Sequence, residues 1–373
     1  MEEIIFVRPT IELKKMGLEY REEHFKFGEK VIDGAALLDE LDYEEWLDRV
    51  NSNWNEETLR RDGVLSHTFF VIRKNDNRII GIVDMRLELK NEITRRYGGH
   101  VGYSVRPSER KKGYATKILN MAKDYLYNLG ITCIMVSCYS DNIASEKVIL
   151  KNGGVLDRKV DFNNKLVHVY YILKEGENFR FKLIYPNLEY KKQAEEYIEE
   201  FYEYNSNING VGGLDRFLKD STYEEWLVKI DNDLKREVTE QKVPTKTMFL
   251  IRENDDMLVG VINIRLALNE KLRKRNGNIG YSIRPTQRGK GYNKINLYLA
   301  LCECKKYGIK KVMLDCEKSN LGSSKTIISL GGVLEREYLD EELNEMEQVY
   351  WIDVDKSVEE KYDLYKEFLA DRK

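Results

Sequence analysis

GYSVRPSERKKGYATKI, from Gly102 to Ile118, returns 178 residues later as GYSIRPTQRGKGYNKIN, from Gly280 to Asn296. The same offset links Gly130 to Gly308, Cys138 to Cys316, Asn142 to Asn320 and Gly153 to Gly331. Upstream, YEEWL at Tyr43–Leu47 returns at Tyr223–Leu227, 180 residues on, so small insertions separate the first halves of the copies. Solenoid repeats are shorter and more numerous, so one long period occurring twice marks a duplicated domain. At 373 residues the chain also exceeds the usual size of a single core. The break is expected in the charged stretch Lys174–Asn178, which gives domains 1–176 and 177–373.

Around the repeated stretch the pattern reads strand, turn, helix. Val101–Val105 is a strand stopped by Arg106-Pro107. Ile118, Leu119, Ala122, Tyr125, Leu126 and Leu129 then recur at helical spacing, with Gly130 at the C-terminal stop. Working outward, Ile4–Val7, Thr68–Arg73, Ile79–Leu89 and Ile131–Cys138 read as strands, and Ala144–Lys151 as a short helix ended by Gly153-Gly154. Asn163-Asn164 marks a hairpin turn. Such alternation predicts a mixed α/β sheet in each copy. YEEWL fits helix core, with Tyr, Trp and Leu inward and the glutamates outward, better than it fits a substrate lid.

Composition bounds the function. Hydrophobic residues make up 42% and charged residues 34%, which suits globular domains, and a net charge of −3 carries no nucleic-acid footprint. MEEIIFVRPT at the start lacks the features of a secretion signal, and no apolar run is long enough to span a bilayer, so a cytoplasmic protein away from membranes is expected. Five cysteines without regular spacing point to reduced thiols, and the four scattered histidines give no metal pattern. The tail Val358–Lys373, with Tyr362, Leu364, Tyr365 and Leu369 in a stripe, offers a docking face for the other domain or for a second copy in a homodimer.

The chemistry concentrates where the strand meets the helix. Arg110-Lys111-Lys112-Gly113-Tyr114-Ala115-Thr116 places backbone N–H groups and positive charge at a helix N-terminus, which suits a pyrophosphate. A dinucleotide-binding G-x-G-x-x-G and a G-x-x-x-x-G-K-S/T loop are both absent. R-x-x-G-x-A here, followed by NIASEKVILKNGG (Asn142–Gly154), resembles the coenzyme A signature and second hallmark of the Gcn5-related N-acetyltransferases. The resemblance implies two tandem α/β (α+β) domains, each a mixed, mostly antiparallel sheet flanked by helices. It further implies acetyl-coenzyme A as cofactor and a small amine, peptide terminus or lysine as acceptor.

On that resemblance, the backbone of Tyr103, Ser104 and Val105 pairs with the pantetheine arm, and the loop, Asn142 and Ser145 complete the cofactor site of the first copy. Arg288, Gly289, Lys290, Gly291, Tyr292, Asn293 and Asn320 are their counterparts. Many family members carry a Tyr seven residues after the hallmark Asn, whereas this chain has Ile149 and Ile327. Water or Tyr139 is then the expected acid. His100 and Glu88 are the candidate bases of the first copy, set against plainer readings as a strand-edge residue and an exposed strand-end charge. The second copy has Asn278 and Ala267 there, and Asn293 where the family has Gly or Ala, so it is expected to be degenerate. The missing Tyr keeps open a second class of function, a coenzyme A-binding scaffold without acetyl transfer.

Overall fold

A computed structural model describes residues 2–61, 63–89, 91, 93–341 and 344–370. The chain divides into two compact units, Met1–Glu177 and Asn178–Lys373, with the break inside the charged stretch 174–178.

The first unit runs β1 (Ile4–Val7), α1 (Lys14–Lys26), α2 (Tyr43–Ser52), β2 (Ser66–Arg73), β3 (Arg78–Arg86), β4 (Val101–Val105), α3 (Tyr114–Asn128), β5 (Cys133–Tyr139), α4 (Ile143–Lys151), β6 (Val155–Phe162) and β7 (Lys165–Leu173). The second repeats it as β8 (Phe181–Ile184), α5 (Lys191–Glu203), α6 (Leu214–Asp220), α7 (Tyr223–Lys235), β9 (Thr245–Arg252), β10 (Met257–Arg265), α8 (Glu270–Lys274), β11 (Ile279–Ile283), α9 (Tyr292–Lys306), β12 (Lys311–Glu317), α10 (Leu321–Ser329), β13 (Val333–Asp340), β14 (Glu345–Asp353) and α11 (Val354–Tyr365). In each unit four antiparallel strands form one sheet, β1-β2-β3-β4 or β8-β9-β10-β11. Three more form another, β5-β7-β6 or β12-β14-β13.

Both faces of the four-stranded sheet of the first unit are covered, and β2 and β3 are accordingly buried at nearly every position. On one face α3 buries Ile118, Leu119, Ala122 and Leu126. On the other, α1 and α2 bury Tyr20, Tyr43 and Trp46. YEEWL is therefore core: Trp46 and Trp226 are fully buried, and their indole N–H groups donate to the carbonyls of Ala35 (2.8 Å) and Gly212 (3.1 Å). Asn163 and Asn164 both take positive φ, 51° and 60°, and close the β6–β7 hairpin in two residues. The tail is a helix only from Val354 to Tyr365. Tyr365 is buried against Tyr298 within its own unit (ring centroids 4.7 Å apart), so the expected docking stripe reduces to exposed Tyr362 and Leu364. Residues 371–373 of that tail lie outside the described residues.

Trp226→Ala removes the largest side chain from the α5–α7 face, where it stacks on Phe249, and leaves the Gly212 carbonyl to the Lys229 ammonium alone (2.7 Å). Urea unfolding of the second unit is expected to lose about 3–5 kcal/mol, and a loss below about 1 kcal/mol would show that the indole is not core.

Candidate active site

The two sheets of the first unit meet at one point. The His100 N–H donates to the carbonyl of Met135 (2.7 Å), and the Met135 N–H donates back to Nδ1 of the His100 ring (2.9 Å). The imidazole thus stands in for the carbonyl that a continuing strand would offer, and β4 and β5 belong to separate sheets beyond it. Gly99 makes the approach feasible, since a Cβ there would sit 2.6 Å from the Met135 carbonyl oxygen. The second unit builds the same pin with another residue. The Asn278 N–H donates to Met313 O (2.7 Å), and Asn278 Oδ1 accepts from the Met313 N–H (2.9 Å).

His100 therefore corrects two expectations. It is buried, not a strand-edge surface residue. Its Nδ1 lone pair already accepts a backbone N–H, so the neutral ring carries its proton on Nε2 and has no free lone pair for an incoming ammonium. The replacement by Asn278 preserves this bond rather than removing a base. Glu88 lies beyond the end of β3, half-buried, in place of the expected strand end. Tyr139 ends β5, partly exposed, with the Lys165 ammonium 5.1 Å over its ring.

At the open side of the split, α3 and α9 begin immediately after Gly113 and Gly291, whose φ angles of 84° and 81° suit only glycine. Neither helix has a side-chain cap, so the first amides keep their capacity for an anion. The basic residues differ between the copies. In the first, Arg110 is already committed: Nη1 and Nη2 pair with Glu29 at 2.5 and 2.8 Å, and Glu29 also meets His24 Nδ1 at 2.7 Å. The hydrogen bond from Arg110 holds the Glu29 carboxyl below its usual range, and burial lowers the His24 pKa. Lys112 pairs with Glu109 at 2.9 Å. In the second copy α5 carries Phe201 and is followed by Ser206 where the first has His24 and Glu29. Arg288 keeps its Nε bond to a strand carbonyl (3.1 Å) but lies exposed 5.0 Å over the Phe201 ring, with no acidic partner among the described residues.

Arg288 and Gly291 line a cleft of about 850 Å³ together with Tyr281, Asn293, Ser323 and Glu317. Asn293, the departure from the family's Gly or Ala, is one of the residues that line this cleft. Tyr103 and Tyr281 cross the split with their hydroxyls, meeting Ser145 Oγ at 3.4 Å and Ser323 Oγ at 2.7 Å. Burial raises the Tyr103 pKa to about 12, so the hydroxyl keeps its proton. Ser104 turns to the other face and meets Tyr20 (2.9 Å). Asn142 and Asn320 cap α4 and α10, accepting from the N–H groups of Ser145 and Ser323. Glu29 went unread in the sequence, although its signal, a carboxylate facing Ser206 across the repeat, was present.

Two split sheets, each with an uncapped helix N-terminus and a basic loop in the split, make an α/β unit whose loop suits an anionic group. The family profile described as "Acetyltransferase (GNAT) domain" matches residues 21–155 and again 185–333, and the chain belongs to that family of acetyltransferases. No curated protein matches it. Among solved structures, Mycobacterium smegmatis RimJ in complex with CoA-disulfide is similar at 11% identity and a TM-score of 0.39, over 49% of this chain and 88% of that one. Dodecameric spermidine N-acetyltransferase from Vibrio cholerae is similar at 14% and 0.37, over 48% and 98%. The Microcin C7 self-immunity acetyltransferase MccE, in complex with acetyl-CoA and AMP, is similar at 17% and 0.35, over 47% and 93%. Among the described residues, no helix is long and apolar enough to cross a membrane and no His/Cys/Asp/Glu group is placed to hold a metal ion.

The two pins supply their own control. His100→Asn copies the second unit and should leave stability within about 1 kcal/mol, whereas His100→Ala orphans the buried Met135 N–H and should cost about 1–3 kcal/mol. Equal losses in the two variants, measured by urea unfolding, would show that the ring acts in some other way.

Proposed function

We propose that this chain transfers acetyl from acetyl-coenzyme A to an amine, and that the second copy is the better loaded of the two. The observation that carries the proposal is the exposed Arg288 beside the uncapped start of α9, at the mouth of the 850 Å³ cleft. The amides around Gly289–Asn293 and the Arg288 guanidinium would hold the pyrophosphate, and the cofactor supplies an activated acetyl group. The outer edge of β11 is left unpaired by the split and would receive the pantetheine arm. The protonated hydroxyl of Tyr281, at the position of Tyr103, is a donor in the cleft and replaces the Tyr absent at Ile327. In the first copy the same loop is present, but an anionic ligand must compete with Glu29 for Arg110.

Gly291→Glu sets a carboxylate and a strained φ at the helix start, whereas Gly113→Glu does the same in the first copy. Calorimetry with acetyl-coenzyme A should show the tighter site lost in Gly291→Glu and kept in Gly113→Glu, and thiol release should follow the same order. The reverse order would assign the loaded copy to the first unit. Glu29→Gln should strengthen binding to the first copy about tenfold by freeing one charge-assisted pair, as measured in the Gly291→Glu background.

A further inference from the structure

One face of the β12-β14-β13 sheet of the second copy carries a set of carboxylates that its twin lacks. Glu317 on β12 lies directly opposite Glu347 on β14, and Glu347 lies opposite Tyr338 on β13. Asp315 and Asp340 are the diagonal neighbours, one on each flanking strand, so these four acids share that face, with exposed Glu345 opposite Asp340 at its rim. At the matching positions the first copy has Ser137, Tyr139, Phe162 and Val167. Like charges directly opposite in a ladder destabilise it, so this arrangement costs the fold unless a cation enters.

Two of the acids are answered within the protein. Asp315 accepts the N–H of Asn276 (2.6 Å), and Arg275 pairs with Asp340 (2.9 Å). The other two are not. Glu347 is 93% buried, and neither it nor Glu317 has an ion-pair or hydrogen-bonding side-chain partner among the described residues. Glu317, at the end of β12, lines the same cleft as Arg288 and Tyr281, so the acidic face borders that cleft through this residue. These acids are not grouped so as to enclose a metal ion. What remains is an organic cation at the acceptor side of the cleft.

We propose that Glu347, with Glu317 and Asp315, forms the acceptor site of the second copy for an aliphatic amine bearing more than one ammonium, and that Glu347 takes the proton from the attacking nitrogen. The binding part stands on the carboxylates alone, while the proton-transfer part rests on the acetyl-transfer reading above. Glu347 removes one proton from the ammonium, and the freed lone pair forms the N–C bond to the acetyl carbonyl as the C–S bond breaks. The departing thiolate takes the second nitrogen proton, and Glu347 returns its own to solvent, leaving a neutral amide and a neutral thiol. Burial first, then the charges of Asp315, Glu317 and Asp340, opposed by Arg275, raise the Glu347 carboxyl to about 7. Tyr338, opposite Glu347, is raised to about 12 and stays neutral, and the other carboxylate on the face, Glu345, is exposed at its rim. A base so placed is half ionised near neutrality. Because its folded-state pKa is raised, Glu347 lowers stability as pH climbs from its ordinary 4.5 toward 7, and the penalty is absent below that window.

The test uses the full chain with hexamethylenediamine, a dication, and hexylamine, a monocation of the same length. Calorimetry without acetyl-coenzyme A should show the diamine binding about tenfold tighter, with Glu347→Gln and Glu317→Gln each removing that preference. Glu347→Gln should also raise Tm at pH 8, which shows that the variant folds. In turnover, Glu347→Gln should lower kcat and erase the inflection near 7 from the pH profile of kcat/KM, with partial rescue in Glu347→Asp. Equal affinity for the two amines, or unchanged diamine binding in Glu347→Gln, overturns the acceptor site. Thiol release from both amines with an unaltered profile in Glu347→Gln overturns the proton role and leaves the acetyl-transfer reading intact. Diamine binding through Glu347 without thiol release from any amine supports the site and overturns that reading.

Discussion

A single reciprocal contact, between the Met135 peptide and His100 or between the Met313 peptide and Asn278, decides what the rest of each unit can be. A seven-stranded sheet that paired continuously would close over its own backbone and leave no donor free. By using a side-chain acceptor in place of the next carbonyl, the chain ends the ladder without orphaning the amide, and the two sheets part from there. Everything of interest lies in the gap so produced: the strand edge, the glycine-led helix start and the tyrosine that reaches across. Gly99 and Gly277 hold the approach close enough for the bond, since any side chain there would collide with the opposing carbonyl.

From this shared frame the copies have diverged by charge. The first closes its basic loop on an internal carboxylate, with Glu29 taking both guanidinium nitrogens of Arg110. The second has Ser206 at that position and carries acids on the β12-β14-β13 sheet, of which Glu317 lines the cleft. One unit is therefore self-neutralised at its basic loop, while the other is left basic at that loop and acidic on its three-stranded sheet. Uncompensated groups of opposite sign facing one cleft are costly to fold, and they are suited to bringing an anion and a cation together.

Most of the fold was legible because it is written in periodicity. The duplication, the helix after Gly113 and the Asn163-Asn164 turn all follow from sequence patterns that tertiary packing does not override. The site was legible only in its loop. His100 looked like a base because imidazole chemistry is usually read from pKa, whereas here a lone pair is spent on a peptide, which only the neighbouring strand reveals. The Glu29–Arg110 pair spans 81 residues, and the Glu317–Glu347 pair depends on strand register, so neither has a local signature. Tyr365 was misplaced for a similar reason, since its burial is set by Tyr298 on a helix far upstream.

The Glu29 clamp also has an arithmetical consequence. A tethered carboxylate competes for Arg110 at an effective concentration set by the fold, so its grip weakens every anion by the same factor, whatever that anion is. Two sites on one chain, one clamped and one open, would fill at different ligand levels. Their combined occupancy rises over a wider span of donor concentration than either site covers alone. A duplication whose copies differ at this carboxylate would thus broaden the dynamic range of a binding curve without any communication between its halves.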